Sequence, residues 1–267
     1  MPDLTAAAGT ASANVFLSAL ESEGLRVTLG PSGRTVQGGT GLHARQVSVS
    51  DERVGLVASL PPNDQAAVAA GMAAVLLESA RSDAASWSFT DCARTIMPQW
   101  HRRSFLIGCE FAGQPAFHAE LDDELVVVYL VELTQGVRLL SASQVQDWGA
   151  HPSRLDRAAA SILYHRTRHD EPLPFEPVVG GIRLHTGDGH DAARAALLEF
   201  LAPDADVWIA TPDHGTLVWV DATSRGATHA LSGWLNAKAG AEPLPLSSRL
   251  RRWTRGSLVS GSAPTVS

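Results

Sequence analysis

The sequence predicts an α+β fold, and three features predict it. Long segments carry apolar residues at helical spacing. Strand-type runs occur in adjacent pairs joined by turn residues, which is the arrangement of hairpins and not of single strands alternating with helices. The most apolar run, "ELVVVYLVEL" at 124–133, has no alternation and so reads as a strand covered on both faces. We expect a small lobe of short strands and two helices over residues 1–90. A larger lobe is expected over 91–267, with a mixed, mostly antiparallel sheet packed by helices.

Taken in order, residues 1–11 are small and polar and are expected to fray. A helix from Ser12 to about Glu23 places Val15, Phe16, Ala19 and Leu20 on one stripe, and Gly24 stops it. Short strands are expected at 25–29, 45–50 and 54–60, separated by "GPSG" and by "GGTG" at 38–41. Pro61 and Pro62 end that region. Asn63 is expected to cap a helix running to about Arg81, with Val68, Met72, Val75 and Leu76 on its apolar face.

The stretch from Ser82 to Arg103 predicts no definite element. The 124–133 strand turns at Thr134-Gln135-Gly136 into a second strand, "VRLLS". A short helix is expected near 143–148. A longer one runs from Pro152 to about His169, with Leu155, Ala158, Ala159, Ile162 and Leu163 buried and Pro172 and Pro174 behind it. A strand at 181–186, a glycine-containing loop and a helix to Leu201 come next. "DVWIATPDHGTLVWVDAT" then reads as a hairpin. A four-residue loop would set Trp208 against Trp219; a three-residue loop would set it against Val220. A helix near 228–239 and a strand near 244–253 complete the chain, the last strand reading as an exposed edge whose arginines block aggregation.

The chain has 267 residues and a formal net charge of −7, with hydrophobic residues at 45% and charged residues at 18%. That composition is globular, and the acidic balance argues against nucleic acid as a partner. One basic tract, "RLRRWTRG" at 249–256, stands apart. Cys92 and Cys109 are the two cysteines, too few for a disulfide framework or a cysteine-based zinc site. The opening residues lack a basic, apolar leader pattern and no run approaches a membrane span, so a soluble cytoplasmic protein is expected.

The tracts "TIMPQWHRRSF", "VVVYLVEL…GVRLLS", "DWGAHPSRLDRAAASIL", "GDGHDAARAALLEFL" and "DVWIATPDHGTLVWVD" succeed one another in a particular order. In that order, over about residues 94–260, the chain resembles the YtpQ-like family of uncharacterised bacterial proteins. The family loop reads similarly around Asp188, Gly189, Asp191, Ala192 and Arg194, while His190 stands where the family carries an aromatic. The resemblance implies an α+β fold in a bacterial cytosolic protein, and no activity.

The strongest candidate site is "RLHTGDGHDAARAALLEFL" at 183–201. Backbone N–H groups at a helix start can hold an anion. The loop nevertheless lacks the Gly-Lys-Ser/Thr ending of a phosphate loop, and its aspartates would repel a phosphate. The plainer reading is that Asp188 or Asp191 caps the helix. Read functionally, the two carboxylates would bind a cation or a hydroxyl-rich ligand, with His185 or His190 titrating near neutral pH.

Elsewhere, "HRTRH" at 165–169 has metal-pair spacing but carries arginines where a metalloprotease has its glutamate. Asp122, Asp123 and Glu124 suit a solvated turn, and "HRR" at 101–103 could clamp an anion. The candidate ligand-binding residues are therefore Asp188, His190, Asp191, Arg194, His101 and Arg102. No metal site and no cofactor is implied. The expected function is a non-enzymatic binding or adaptor module taking a small molecule or a protein. The alternative is a metal-assisted hydrolase-like enzyme using the Asp/His loop at 185–191. The enzyme predicts that these side chains converge on one cleft with shifted pKa values; the module predicts an apolar surface without that convergence.

Overall fold

The computed structural model describes residues 4–30, 33–39, 44–78, 88–133, 136–169, 175–201, 206–242, 245–254 and 257–259. In chain order the elements are α1 (Leu4–Ser22), β1 (Arg26–Gly30), β2 (Gly33–Gly38), β3 (Arg45–Val49), α2 (Asp51–Ala58), α3 (Pro62–Glu78) and α4 (Phe89–Cys92). They continue with β4 (Ile96–Arg102), α5 (Ser104–Phe111), β5 (His118–Glu120), β6 (Leu125–Leu133), β7 (Gly136–Leu139), α6 (Ala142–Asp147) and α7 (Pro152–His169). Then come β8 (Phe175–Val178), β9 (Gly181–Leu184), a 3-10 helix (Ala192–Leu197) running into α8 (Leu198–Leu201), and β10 (Asp206–Ala210). The last elements are β11 (Leu217–Asp221), α9 (Arg225–Ala241), β12 (Arg251–Thr254) and β13 (Ser257–Val259). The fold is α+β, with antiparallel sheets and helices packed on them.

The chain forms two compact units. One comprises Met1–Cys92, Arg102–His118 and Leu130–Ala150; the other comprises Ala93–His101, Ala119–Tyr129 and His151–Ser267.

In the first unit, β1, β2 and β3 form an antiparallel sheet with β2 in the middle. Phe16 and Leu20 of α1 and Val68 and Met72 of α3 share a core with Val36 and Val49 of the sheet. Helix α3 crosses α5 at two glycines. A Cβ on Gly71 would lie 2.1 Å from the Phe105 carbonyl oxygen, and one on Gly108 would lie 2.0 Å from that of Val68. Each backbone therefore fills the space a side chain would need. Ser141 and Gln144 form a reciprocal capping box at the start of α6.

Several expectations for this unit are corrected. The helix α1 begins at Leu4, within the stretch expected to fray. The segment expected as a strand at 54–60 lies mostly within α2. Ser50 Oγ accepts from Arg53 N at 3.3 Å, Asp51 and Glu52 complement the first turn, and Val54 and Val57 are buried at helical spacing. Helix α3 starts at Pro62 and not after Asn63; Pro61 O accepts from Asp64 N and Gln65 N, so proline occupies the first helical position. The expected end near Arg81 lies outside the described residues.

The second unit is built on a six-stranded antiparallel sheet in the order β13-β12-β10-β11-β9-β8. One face presents Leu184, Val207, Ile209, Leu217, Trp219 and Trp253, packed with Leu163 of α7 and Ala193 and Leu197 of the 3-10 helix. The other presents Trp208, Ala210, Val218 and Val220 to Leu231 and Leu235 of α9. The β10–β11 register sets Trp208 against Val220 and Ile209 against Trp219, the pairing expected of a three-residue loop, although residues 211–216 separate the two strands. In this unit β4, β6 and β5 lie in that order. Strand β6 continues into the first unit, where Leu130–Leu133 pair with β7. The turn residues Thr134 and Gln135, and Pro172 and Pro174 behind α7, lie outside the described residues.

The basic tract is not an exposed edge. β12 is paired on both sides, by β10 and β13, and Arg251 is 3% exposed. Its guanidinium donates to Asp122 Oδ2 at 2.6 Å and Glu124 Oε2 at 2.8 Å, and Arg249 pairs with Asp123 at 2.9 Å. The "LDDEL" turn is thus an ion-paired anchor, and only Asp123 of its three acids is well exposed.

Candidate functional site

The loop behind β9 is shaped by two glycines at positive φ, Gly187 at 79° and Gly189 at 78°. Between them Asp188 folds back and its Oδ1 accepts from His190 N at 3.0 Å, a local aspartate turn. Asp191 already has helical dihedrals, φ −63° and ψ −38°, and makes no capping bond. A capping side chain needs an extended backbone, so neither aspartate caps the helix. The chain beyond Asp191 forms a 3-10 helix and only one α turn.

Both carboxylates turn inward onto Arg194, which is fully buried. Its Nη1 and Nη2 donate to Asp188 Oδ1 and Oδ2, each at 2.7 Å, a two-pronged pair. Nη1 also reaches Asp191 Oδ1 at 3.1 Å, and Nε donates to Thr167 Oγ1 at 2.8 Å. Asp191 further accepts from Thr186 N at 3.0 Å and Thr186 Oγ1 at 2.7 Å. Thr167 is the polar fourth step of the α7 stripe Leu155, Ala159, Leu163, Thr167, and its hydroxyl donates back to Leu163 O. Its lone pairs therefore face the guanidinium.

The two carboxylates are pushed in opposite directions. Burial raises Asp188, but the Arg194 bond and charge, with the His190 N–H and Thr186 hydroxyl, outweigh it and leave it well below the usual range. Asp191 is raised: burial exceeds the lowering by Thr186 and Arg194, and the charge of Asp188 adds to it.

The chain matches no family model, no curated protein and no solved structure.

Three histidines of the second unit gather beside the clasp. His190 Nδ1 donates to the Pro98 carbonyl at 3.1 Å, and a ring nitrogen of His214 donates to the Trp100 carbonyl. Both acceptors lie on β4. The His101 ring packs at a tilt against His214 with centroids 4.7 Å apart, and its Nε2 bonds Gln99 Oε1 at 2.8 Å. Burial and then His214 hold His101 well below the ordinary 6.5. Burial lowers His214 too, against the opposing pull of Asp213 and the Trp100 bond. The clasp and this cluster are joined by Ala192 N donating to His214 O at 3.0 Å.

Of the predicted site residues, Asp188, Asp191, Arg194 and His190 come together, and His101 lies with the histidines. Arg102 belongs to the first unit, where its Nε donates to Asp64 Oδ1 at 2.9 Å and Ser104 donates to the same oxygen at 2.7 Å. His185 stands half-exposed at the rim, 4.0 Å from Asp191. Thr186, Thr167 and His214 do not stand out in the sequence. Of these, only Thr167 leaves a signal there, as a hydroxyl continuing an apolar stripe. Among the described residues, no group of three His, Cys, Asp or Glu side chains is placed to hold a metal ion. No helix among them is long and apolar enough to cross a membrane.

Proposed function

We propose that the chain is a non-enzymatic binding or adaptor module for a small molecule or a protein. The loop carboxylates do converge with shifted pKa values, but on the buried guanidinium of Arg194, and that carries this reading: the acidic groups of the 185–191 loop spend their acceptor capacity on Arg194, Thr186 and the loop backbone. Such a loop is a rigid strut between α7, β9 and the 3-10 helix. A metal-assisted hydrolase would need the same carboxylates to leave a buried guanidinium, which would then be unpaired at high cost.

Isothermal titration with Mg²⁺, Mn²⁺ and Zn²⁺ separates the two readings. The binding module predicts no heat from any of the three. Heat that disappears in Asp188→Ala would replace it with the hydrolase. Affinity capture with the full chain should return a reproducible partner or ligand, and repeated empty captures would count against the module.

A further inference from the structure

Strand β4 is the end strand of the order β4-β6-β5, and Pro98 within it has no N–H to offer a further strand. Carbonyls two residues apart point to the same side of a strand. Those of Pro98 and Trp100 are taken by histidine N–H groups arriving from two different loops, His190 from 185–191 and His214 from the β10–β11 connection. Two rings thus occupy the edge where a neighbouring strand would otherwise pair.

The surroundings of the His101–His214 pair disfavour charge on it. With one nitrogen of His214 donating to Trp100 O, its Nδ1 is enclosed with no hydrogen-bond partner among the described residues, so a proton there would find no acceptor among them. His101 meets His214 at a tilt, with centroids 4.7 Å apart and planes 50° apart, so close that charge on both rings would repel. His214 also faces His190 from the neighbouring loop and Asp213 from its own. Asp213 favours a charged ring but is engaged by the Thr216 hydroxyl at 3.0 Å. His190 in turn borders Asp188, Asp191 and Arg194, which are tied to one another.

We infer that the His101–His214 pair, with His190 bonded to the strand beside it, forms an acid-operated latch that holds the 185–191 and 211–216 loops on the edge of β4 and releases them when the pair is protonated. Because Ala192 N is bonded to His214 O, release of the second loop also frees the start of the 3-10 helix. Unit and clasp stay folded at neutral pH; mild acid opens this corner first.

Amide hydrogen exchange of the full chain between about pH 7.5 and about pH 5, corrected for intrinsic rates, tests the latch. Protection of residues 186–197 and 211–217 should fall by roughly tenfold or more. Protection in α3 should stay level. His101→Phe keeps an aromatic ring beside His214 without a titrating nitrogen, and should move the loss to lower pH. If that variant does not fold, proton-NMR titration of the native histidine rings replaces it. The rings of His101 and His214 should then stay neutral until the loops open. Unchanged protection down to about pH 5 would overturn the latch, as would a His101→Phe profile superimposed on the native one. So would either ring titrating freely near its ordinary value while the loops stay protected.

Discussion

Arg194 shows how residue chemistry settles the loop. A guanidinium offers five N–H donors in a plane, and here Asp188, Asp191 and Thr167 take up the fork. Removing one partner of a buried pair strands the other. Arg194→Met should therefore cost about 3–5 kcal/mol in urea denaturation, because the fully buried Asp191 carboxylate loses its cation. Asp191→Ala should likewise exceed the loss of about 1 kcal/mol expected of a helix cap. A cost at the cap level would mean the clasp adds nothing to stability. A second pair gives a pH prediction. Burial raises Asp122, but the Arg251 bond and charge together with two backbone N–H bonds outweigh it, so its folded pKa lies below 3.8. A depressed carboxylate stabilises above its unfolded pKa and ceases to do so as pH falls through the folded value. The contribution should fade below about pH 4, and Asp122→Asn should flatten that part of the acid limb of the urea midpoint.

At the scale of elements, pattern worked where apolar residues recur often enough to fix a period. Helix α7 spans Pro152–His169 as expected, and the apolar stripe of α3 is buried, in line with its spacing. Pattern failed in short, polar segments. Strand β2, "GRTVQG", carries a single large apolar residue, yet it is the central strand of its sheet because β1 and β3 pair on either side. α2 is only eight residues, and its valines at 54 and 57 are too few to show a helical period against the β-branched preference for strands. The α3–α5 crossing gives the test belonging here. Gly108→Ala would force a Cβ to within 2.0 Å of a carbonyl, and should cost about 1–3 kcal/mol or more in thermal or urea unfolding. Ser141→Ala, which removes one half of a capping box, should cost only about 1 kcal/mol.

At the scale of the whole molecule, the titrating groups sum to a stability profile. His101 and His214 are depressed in the folded state, so they stabilise above 6.5 and lose that contribution as pH falls toward their folded values. Asp188 acts in the same direction at lower pH. Asp191, raised, acts oppositely: its contribution is complete below its unfolded pKa and is lost as pH rises through its folded value. Urea midpoints measured across pH should therefore decline in two stages on acidification, first below about 6.5 and again below about 4. A flat profile between about pH 7 and about pH 5 would mean the two rings titrate alike in folded and unfolded chains. The α+β class, the longer helices, the β6–β7 and β10–β11 hairpins and the clustering of acidic and histidine side chains behind β9 are all legible in the sequence. They rest on local periodicity and turn chemistry, which act between residues near one another along the chain. Tertiary packing was needed to turn Asp188 and Asp191 onto an arginine instead of a helix cap. It was needed as well to bury Arg251 against acids 127 and 129 positions earlier, and to bring His101 against His214. Burial, and the partner a buried charge must find, depend on chain segments that no local pattern connects.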